Sequence, residues 1–131
     1  MKLNYECVRD ILLTCESNLV LTSQLQFEVI RLKTLCSILT QYSKEEIAYT
    51  VILLDEAEYL ECNIIEADNF IADIRIYRLT YVGHEFLETI RPDNIWSKIK
   101  RVLNTTGTIT LPLISNVGQQ IISNSITNYL Q

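Results

Sequence analysis

The stretch SKEEIAYTVILLDEAEYLECNIIEADNFIADIRIYRLT, Ser43 to Thr80, joins one helix pattern directly to two strand patterns. Ser43 and Glu46 have the spacing of a capping box, in which each side chain pairs with the other residue's backbone N–H, so a helix is predicted to start here. The helix should end near Glu58. Its inner face is predicted to consist of the apolar residues at helical spacing, Ile47, Val51, Leu54 and Ala57.

A β-hairpin follows this helix. YLECNII (59–65) and FIADIRIYRL (70–79) are rich in residues that favour strands, and EADN (66–69) between them is typical of a tight turn. On the second strand, the alternation predicts that Ile74, Ile76 and Arg78 share one face.

The residues before Ser43 predict helix, strand and helix in that order. Asn4 is a good N-cap for an amphipathic helix that reaches about Ser17. QLQFEVI (24–30) alternates apolar and polar residues and is predicted to be a short strand, and Leu32 to Thr40 return to helical spacing.

The residues after Thr80 predict three further helices. Gly83 is predicted to open the first, and Arg91-Pro92-Asp93 should interrupt it, because a proline disfavours helical conformation in the preceding residue. Asp93 restarts the helix, NTTGT (104–108) is predicted to be a loop, and Pro112 suits the first turn of a last helix.

Composition predicts one soluble domain. The chain has 131 residues, 48% of them hydrophobic, which allows a single core. No apolar run approaches the roughly 20 residues that span a bilayer, and the first ten residues mix charges where a signal peptide is apolar. We therefore expect a cytoplasmic protein without membrane partners.

The element order helix, strand, helix, helix, strand, strand, helix is that of an α+β winged helix-turn-helix domain with a small antiparallel sheet. We assign residues 1–105 to this domain and residues 106–131 to a C-terminal amphipathic helix used for packing or dimerisation. The end of the hairpin is similar to a pattern found in many winged helices, L-T-x-x-G-x-x-x-L, matched by Leu79, Thr80, Gly83 and Leu87.

Three segments, MKLNYECVRDILL, YSKEEIAYTVILLDEAEYLE and LTYVGHEFLETIRPDNIWSKIK, together resemble the bacterial and phage family called domain of unknown function 2513. The resemblance implies a winged-helix-like domain, often encoded by prophages and other mobile elements. The family has no established activity, so it implies no residue roles. Winged helices often place glycine at the end of the third helix, where this chain has Glu58. Because glutamate suits the left-handed cap conformation poorly, we expect a differently shaped helix end.

Binding of double-stranded DNA is the first functional hypothesis, because many winged helices bind DNA and act in regulation. This hypothesis rests on the fold alone, which is an analogy. The formal net charge of −5 argues against broad attraction to nucleic acid. The nucleic-acid-binding candidates are Lys44 and Tyr49 on the third helix, Arg75 and Arg78 on the hairpin, and Lys98 and Arg101 on the later helix.

An adaptor or inhibitor that binds a host protein is the alternative. Tyr49 and Ile52 would form its contact surface on the third helix, with the aromatic ring as anchor. No charged residue follows Arg101, so the last helix is amphipathic without charges. Such a helix either packs back on the domain or pairs with a second copy through Val117 and Ile121.

Catalysis and metal binding are not expected. The four cysteines, Cys7, Cys15, Cys36 and Cys62, are widely spaced, and His84 is the one histidine, so neither a zinc motif nor a cofactor-binding motif is present. His84 is a possible base for Cys36 or Cys62, but neither lies in a nucleophile motif. We expect reduced cysteines packed as small hydrophobic residues, and a His84 that holds a corner of the fold.

Overall fold

A computed structural model describes all residues from 1 to 131. The chain is α+β, with six helices and two small antiparallel sheets. It divides into two compact units, residues 1–84 and 85–131, and the division falls within α4. The elements in chain order are α1 Tyr5–Asn18, β1 Val20–Leu21, β2 Phe27–Glu28, β3 Ile30–Arg31, α2 Leu32–Ile38, α3 Lys44–Glu56, β4 Leu60–Ala67, β5 Phe70–Leu79, α4 Tyr81–Ile90, α5 Asp93–Thr106 and α6 Leu111–Leu130.

The main sheet of the first unit has the strand order β3-β5-β4. The hairpin β4–β5 turns at Asp68 and Asn69, as EADN predicts, and Ala67 lies opposite Phe70. β3, which precedes α2 in the chain, pairs with β5 through Ile30 opposite Ile76. The sheet therefore joins segments on both sides of α2 and α3.

The inner face of β5 corrects one prediction. Ile74 and Ile76 are buried, but Arg78 is exposed and Leu79 is buried instead. The register of β4 and β5 shifts between Glu61 and Cys62, so that β5 contains one extra residue at this point. A β-bulge of this kind reverses the alternation of side chains beyond it. The predicted common face of Ile74, Ile76 and Arg78 is therefore wrong at Arg78.

The strand predicted over residues 24–30 is confirmed only in part. Phe27–Glu28 pairs with Val20–Leu21 in a separate small hairpin, and Ile30 begins the next strand. Leu25 has a φ of 62° in the turn of that hairpin, and its side chain is exposed. Ile30 is buried, whereas Leu25 and Phe27 are exposed. The residue that anchors this segment in the core is therefore at an even position and not at the odd positions of the predicted apolar alternation.

The first and third helices begin as predicted and are tied together at their first turns. The Asn4 side chain accepts hydrogen bonds from the Glu6 and Cys7 backbone N–H groups, and Ser43 Oγ accepts from the Glu46 N–H. The Glu46 carboxylate accepts a 2.7 Å hydrogen bond from the Asn4 side-chain amide. Glu46 therefore links α3 to the cap of α1.

The core of the first unit is formed by α1, α2, α3 and the inner face of the sheet. Cys7 and Cys15 on α1 are fully buried, while Cys36 and Cys62 are half-buried, and all four are free thiols. The prediction that the cysteines pack as small hydrophobic residues is confirmed for Cys7 and Cys15. Their buried apolar neighbours include Val8, Ile11, Leu12, Ile30, Leu35, Leu39, Ile47, Val51, Leu54, Leu60, Ile74, Ile76 and Leu79.

The end of α3 differs from the expectation for Glu58. This glutamate has a φ of 64°, in the left-handed region that glycine favours. The Glu58 N–H donates to the Asp55 carbonyl and the Tyr59 N–H donates to the Leu54 carbonyl, which together form a Schellman cap. The predicted change of shape is wrong, because the chain keeps the glycine-type cap with a glutamate in it.

The start of α4 gives Gly83 a different role from the predicted one. The Thr80 hydroxyl accepts from the Gly83 N–H, so α4 starts two residues before Gly83. A Cβ atom on Gly83 would overlap the carbonyl oxygen of Tyr59. Gly83 is therefore required for close approach of the helix to Tyr59 and does not act as a turn.

The second unit consists of the end of α4 together with α5 and α6. The predicted break at Pro92 is confirmed, while α5 extends into the predicted loop and ends at Gly107, whose φ is 71°. Thr110 caps α6, and Pro112 lies in its first turn as predicted. Gly118 of α6 lies against Ile99, where an added Cβ would come within 3.1 Å. None of the helices has the length and apolar character needed to cross a bilayer.

Candidate functional site

An apolar groove of about 300 Å³ lies beside α3 in the first unit, and we call it the α3 groove. One wall is the exposed side of α3, and the remaining lining comes from the chain start, α2 and β5. Its lining residues are Met1, Leu32, Lys44, Glu45, Ala48, Tyr49, Ile52 and Ile71.

The position of the groove follows from the two faces of α3. Ile47, Val51 and Leu54 are spaced by three and four residues and are buried in the core. Ala48 and Ile52 have the same spacing one residue later and are half-buried, so they continue the apolar surface of α3 beyond the core. The helix therefore presents apolar side chains on two adjacent faces, and only one of them is covered.

The electrostatics of the α3 groove are close to neutral. Lys44 and Glu45 are its charged lining residues, one of each sign. The other lining residues are apolar or uncharged. Such a surface favours apolar side chains over phosphate groups as ligands.

The predicted candidates of both hypotheses meet at this groove. Lys44 and Tyr49, proposed for DNA, and Ile52, proposed for a protein partner, all line it. Sequence reasoning missed Leu32 and Ile71, which belong to other elements. Helical spacing placed Leu32 on the apolar side of the second helix, and the only signal at Ile71 was apolar character off the predicted face of Ile74 and Ile76.

The hairpin arginines lie beside acidic groups. Arg78 Nε is 2.6 Å from a carboxylate oxygen of Glu61, which is opposite it on β4. Asp55 and Glu58 line the same pocket, of about 470 Å³, so two further carboxylates share this surface with Arg78. Arg78 is therefore less available for a phosphate than its place on the hairpin suggested.

Arg75 belongs to a second cluster, on the outer side of the sheet. Its Nε is 4.0 Å from Asp73, and Arg31 of β3 is 3.6 Å from the same carboxylate. Arg31 and Arg75 lie directly opposite each other in the sheet. Two cations thus share one anion, which leaves a local excess of positive charge. Sequence reasoning missed Arg31, because the strand that contains it was predicted to end at Ile30.

The remaining basic candidates lie on α5 in the second unit. Lys98 and Arg101 are exposed. Lys100 on the same helix lies 5.7 Å from the centre of the Trp96 ring, a distance suited to a cation–π contact. Val117 and Ile121 of α6 are half-buried. Their predicted roles in DNA binding and self-association remain predictions.

The cysteines lack the properties of nucleophiles. Burial raises the pKa of Cys15 and of Cys62 to about 12, and that of Cys7 to about 11, so these thiols stay protonated at neutral pH. His84 is exposed in the first turn of α4 and lines a cavity of about 120 Å³ together with Cys15 and Glu16. His84 therefore lies near the Cys15 thiol, which burial keeps protonated.

The comparisons with known proteins concern nearly the whole chain. Residues 2–109 match the family described as hypothetical protein (DUF2513). An uncharacterised protein of Haemophilus influenzae is 32% identical over 124 residues, which cover 94% of this chain and 97% of that protein. No solved structure matches. The chain belongs to the DUF2513 family.

Proposed function

We propose that residues 1–84 form a winged-helix domain that acts without catalysis, by binding another protein in the α3 groove. The order and pairing of the elements support the fold assignment. α1, β3, α2, α3, β4 and β5 follow one another, the strand before α2 pairs with the second hairpin strand, and the hairpin takes the place of the wing.

The observation that carries the proposal is the chemistry of the exposed face of α3. In DNA-binding winged helices the third helix enters the major groove and presents hydrogen-bonding side chains to base edges. Here that face contributes Ala48, Tyr49 and Ile52 to an apolar groove, and it has no arginine. Glu45 in the groove would also repel phosphates. Protein side chains fit this surface better than nucleic acid does.

The partner that we infer is a segment that presents one or two large apolar side chains, such as one face of an amphipathic helix. Grooves of this kind bind helices through anchors spaced by three or four residues. Tyr49 is the expected anchor on the winged-helix side, because half-buried aromatic residues often contribute most to binding energy. A regulatory role for this binding, and an origin in a phage or mobile element, remain predictions from the family resemblance.

A selection from a peptide library with the full chain as bait tests the proposal. We expect enriched peptides with a pair of apolar residues at helical spacing. Ile52→Lys should weaken their binding, because it places a charge in the groove, and Tyr49→Ala should remove the anchor. Tyr81→Ala is the matched control, since Tyr81 is 76% exposed and does not line the groove. Enriched peptides that bind Ile52→Lys as well as they bind the wild type would exclude this groove.

DNA binding is a second candidate, supported by the excess charge of Arg31 and Arg75. The outer side of the sheet offers these two guanidinium groups to one phosphate. Selection of duplex DNA from a random pool tests it. DNA binding predicts an enriched sequence, an affinity that falls steeply with salt, and loss of binding in Arg31→Ala with Arg75→Ala. A pool that shows no enrichment excludes this candidate.

A further inference from the structure

A second apolar groove lies in the second unit, between the start of α5 and the last turns of α6. Its volume is about 440 Å³, and we call it the α6 groove. Its lining residues are Pro92, Asn94, Ile95, Ile122, Ser125, Ile126, Tyr129 and Leu130. All of them are uncharged.

The two halves of α6 have different surroundings within this unit. In the first half, Ile114 and Gly118 are buried, and Gly118 lies against Ile99 of α5. In the second half Ile126 is 55%, Tyr129 89% and Leu130 77% exposed. The first half of the helix therefore packs within the unit, while the second half leaves a stripe of apolar side chains uncovered.

The exposed stripe has the geometry of a helix-pairing surface. Ile122, Ile126 and Tyr129 follow one another by four and three residues, so they lie on one face. The groove beside them is also lined by Ile95 of α5 and by Pro92, the N-cap residue of that helix. A surface that offers both projecting side chains and an adjacent groove can pair with a copy of itself, since each copy fills the groove of the other.

The absence of charge indicates what covers this surface. No Asp, Glu, Lys or Arg follows Arg101, so the polar residues of α6 are Ser, Thr, Asn and Gln. Each of these side chains can both donate and accept hydrogen bonds, so it can pair with its own counterpart across a two-fold axis. A charged residue at such a position would face the same charge on the other copy and be repelled by it. A helix bound to a membrane surface would normally carry lysine or arginine, which α6 lacks.

We propose that the second half of α6 is a homodimer interface, in which Ile126 and Tyr129 of each copy enter the α6 groove of the other. This proposal is independent of the α3 groove and of its ligand. It also moves the contact surface toward the end of the helix, beyond the predicted residues Val117 and Ile121.

Sedimentation equilibrium on the full chain tests the proposal, over protein concentrations of about 1 to 100 µM. The expected result is a dimer whose dissociation constant changes little between low and high salt, because no charges lie in the contact. Ile126→Glu should weaken the dimer by more than roughly tenfold, since it brings a buried charge into the interface. Asn124→Glu is the matched control, because Asn124 lies on the opposite side of α6 and is exposed.

Tyr129→Ser is a second variant, which should leave folding unchanged because Tyr129 is 89% exposed. It should also weaken the dimer, with an unchanged circular dichroism spectrum. A wild-type chain that is monomeric at the highest concentration would overturn the proposal. A dimer that survives both Ile126→Glu and Tyr129→Ser, or one that Asn124→Glu disrupts equally, would overturn it as well.

Discussion

The hydroxyl of Thr80 donates a 2.5 Å hydrogen bond to the backbone carbonyl of Glu58, 22 residues earlier in the chain. The same hydroxyl accepts from the Gly83 N–H, and the Thr80 N–H donates to the Tyr59 carbonyl. Thr80 thus joins the end of α3 to the start of α4 across the base of the hairpin. This junction fixes where the hairpin leaves α3.

The left-handed backbone at Glu58 predicts a stabilising substitution. Glu58→Gly should raise the free energy of unfolding by about 0.5 to 1 kcal/mol, because glycine adopts a φ of 64° without the clash of a Cβ atom. Urea denaturation at neutral pH measures this. Glu56→Gly, two residues earlier and inside α3, is the control and should lower stability by a similar amount. A decrease in both variants would contradict the Schellman cap.

The two glycines at Gly83 and Gly107 predict costs of different origin. Gly83→Ala should destabilise the protein by at least about 2 kcal/mol, because its Cβ would overlap the Tyr59 carbonyl oxygen and force α4 to move. Gly107→Ala should lower the free energy of unfolding by about 1 kcal/mol, because alanine is strained at this positive φ. No atom lies within 4 Å of the added Cβ, so there is no overlap to add to this cost. Thermal denaturation followed by circular dichroism compares them. Equal costs would mean that Gly83 is not needed for close approach.

The buried thiols predict loss of stability at alkaline pH. The pKa values of Cys7, Cys15 and Cys62 are raised in the folded protein, so the unfolded chain releases these protons first as the pH rises. The contribution of these thiols to the free energy of unfolding is complete below the pKa of an unfolded thiol, about 9. It declines as the pH rises from there toward 11 to 12. Each thiol should contribute a slope on the order of 1 kcal/mol per pH unit.

Urea denaturation at several pH values between 8 and 10 measures this slope. Cys62→Ala should give a shallower decline relative to its own stability at pH 8, because one titrating thiol is removed. A free energy of unfolding that stays constant over this range would show that the thiols are accessible to solvent in the folded chain.

The hairpin and its flanking helices could be predicted from sequence because they rest on local rules. The side-chain caps at Asn4 and Ser43, the turn at Asp68 and the break at Pro92 each depend on residues within a few positions of one another. The same rules failed where one residue changed the register. The bulge in β5 exposed Arg78, and a turn with Leu25 at positive φ divided the strand that alternation had predicted.

Only the part of the α3 groove that α3 itself contributes could be predicted from the sequence. Tyr49 and Ile52 could be placed on the exposed face of α3 from helical spacing alone. Leu32 and Ile71 complete the groove through tertiary packing, which no local pattern encodes. The pairing of Arg78 with Glu61 and of Arg31 with Asp73 likewise depends on strand register. The charges on the hairpin therefore looked more available in the sequence than they are in the fold.

Parallel selection on one immobilised chain tests the proposed function most directly, with a random peptide library and a random duplex DNA pool offered under identical conditions. A protein-binding α3 groove predicts enriched peptides with paired apolar anchors, whose affinity falls roughly tenfold or more in Ile52→Lys and is unchanged in Tyr81→Ala. Enrichment of a defined duplex whose binding Arg31→Ala with Arg75→Ala abolishes, together with no enriched peptide whose binding Ile52→Lys weakens, would contradict it.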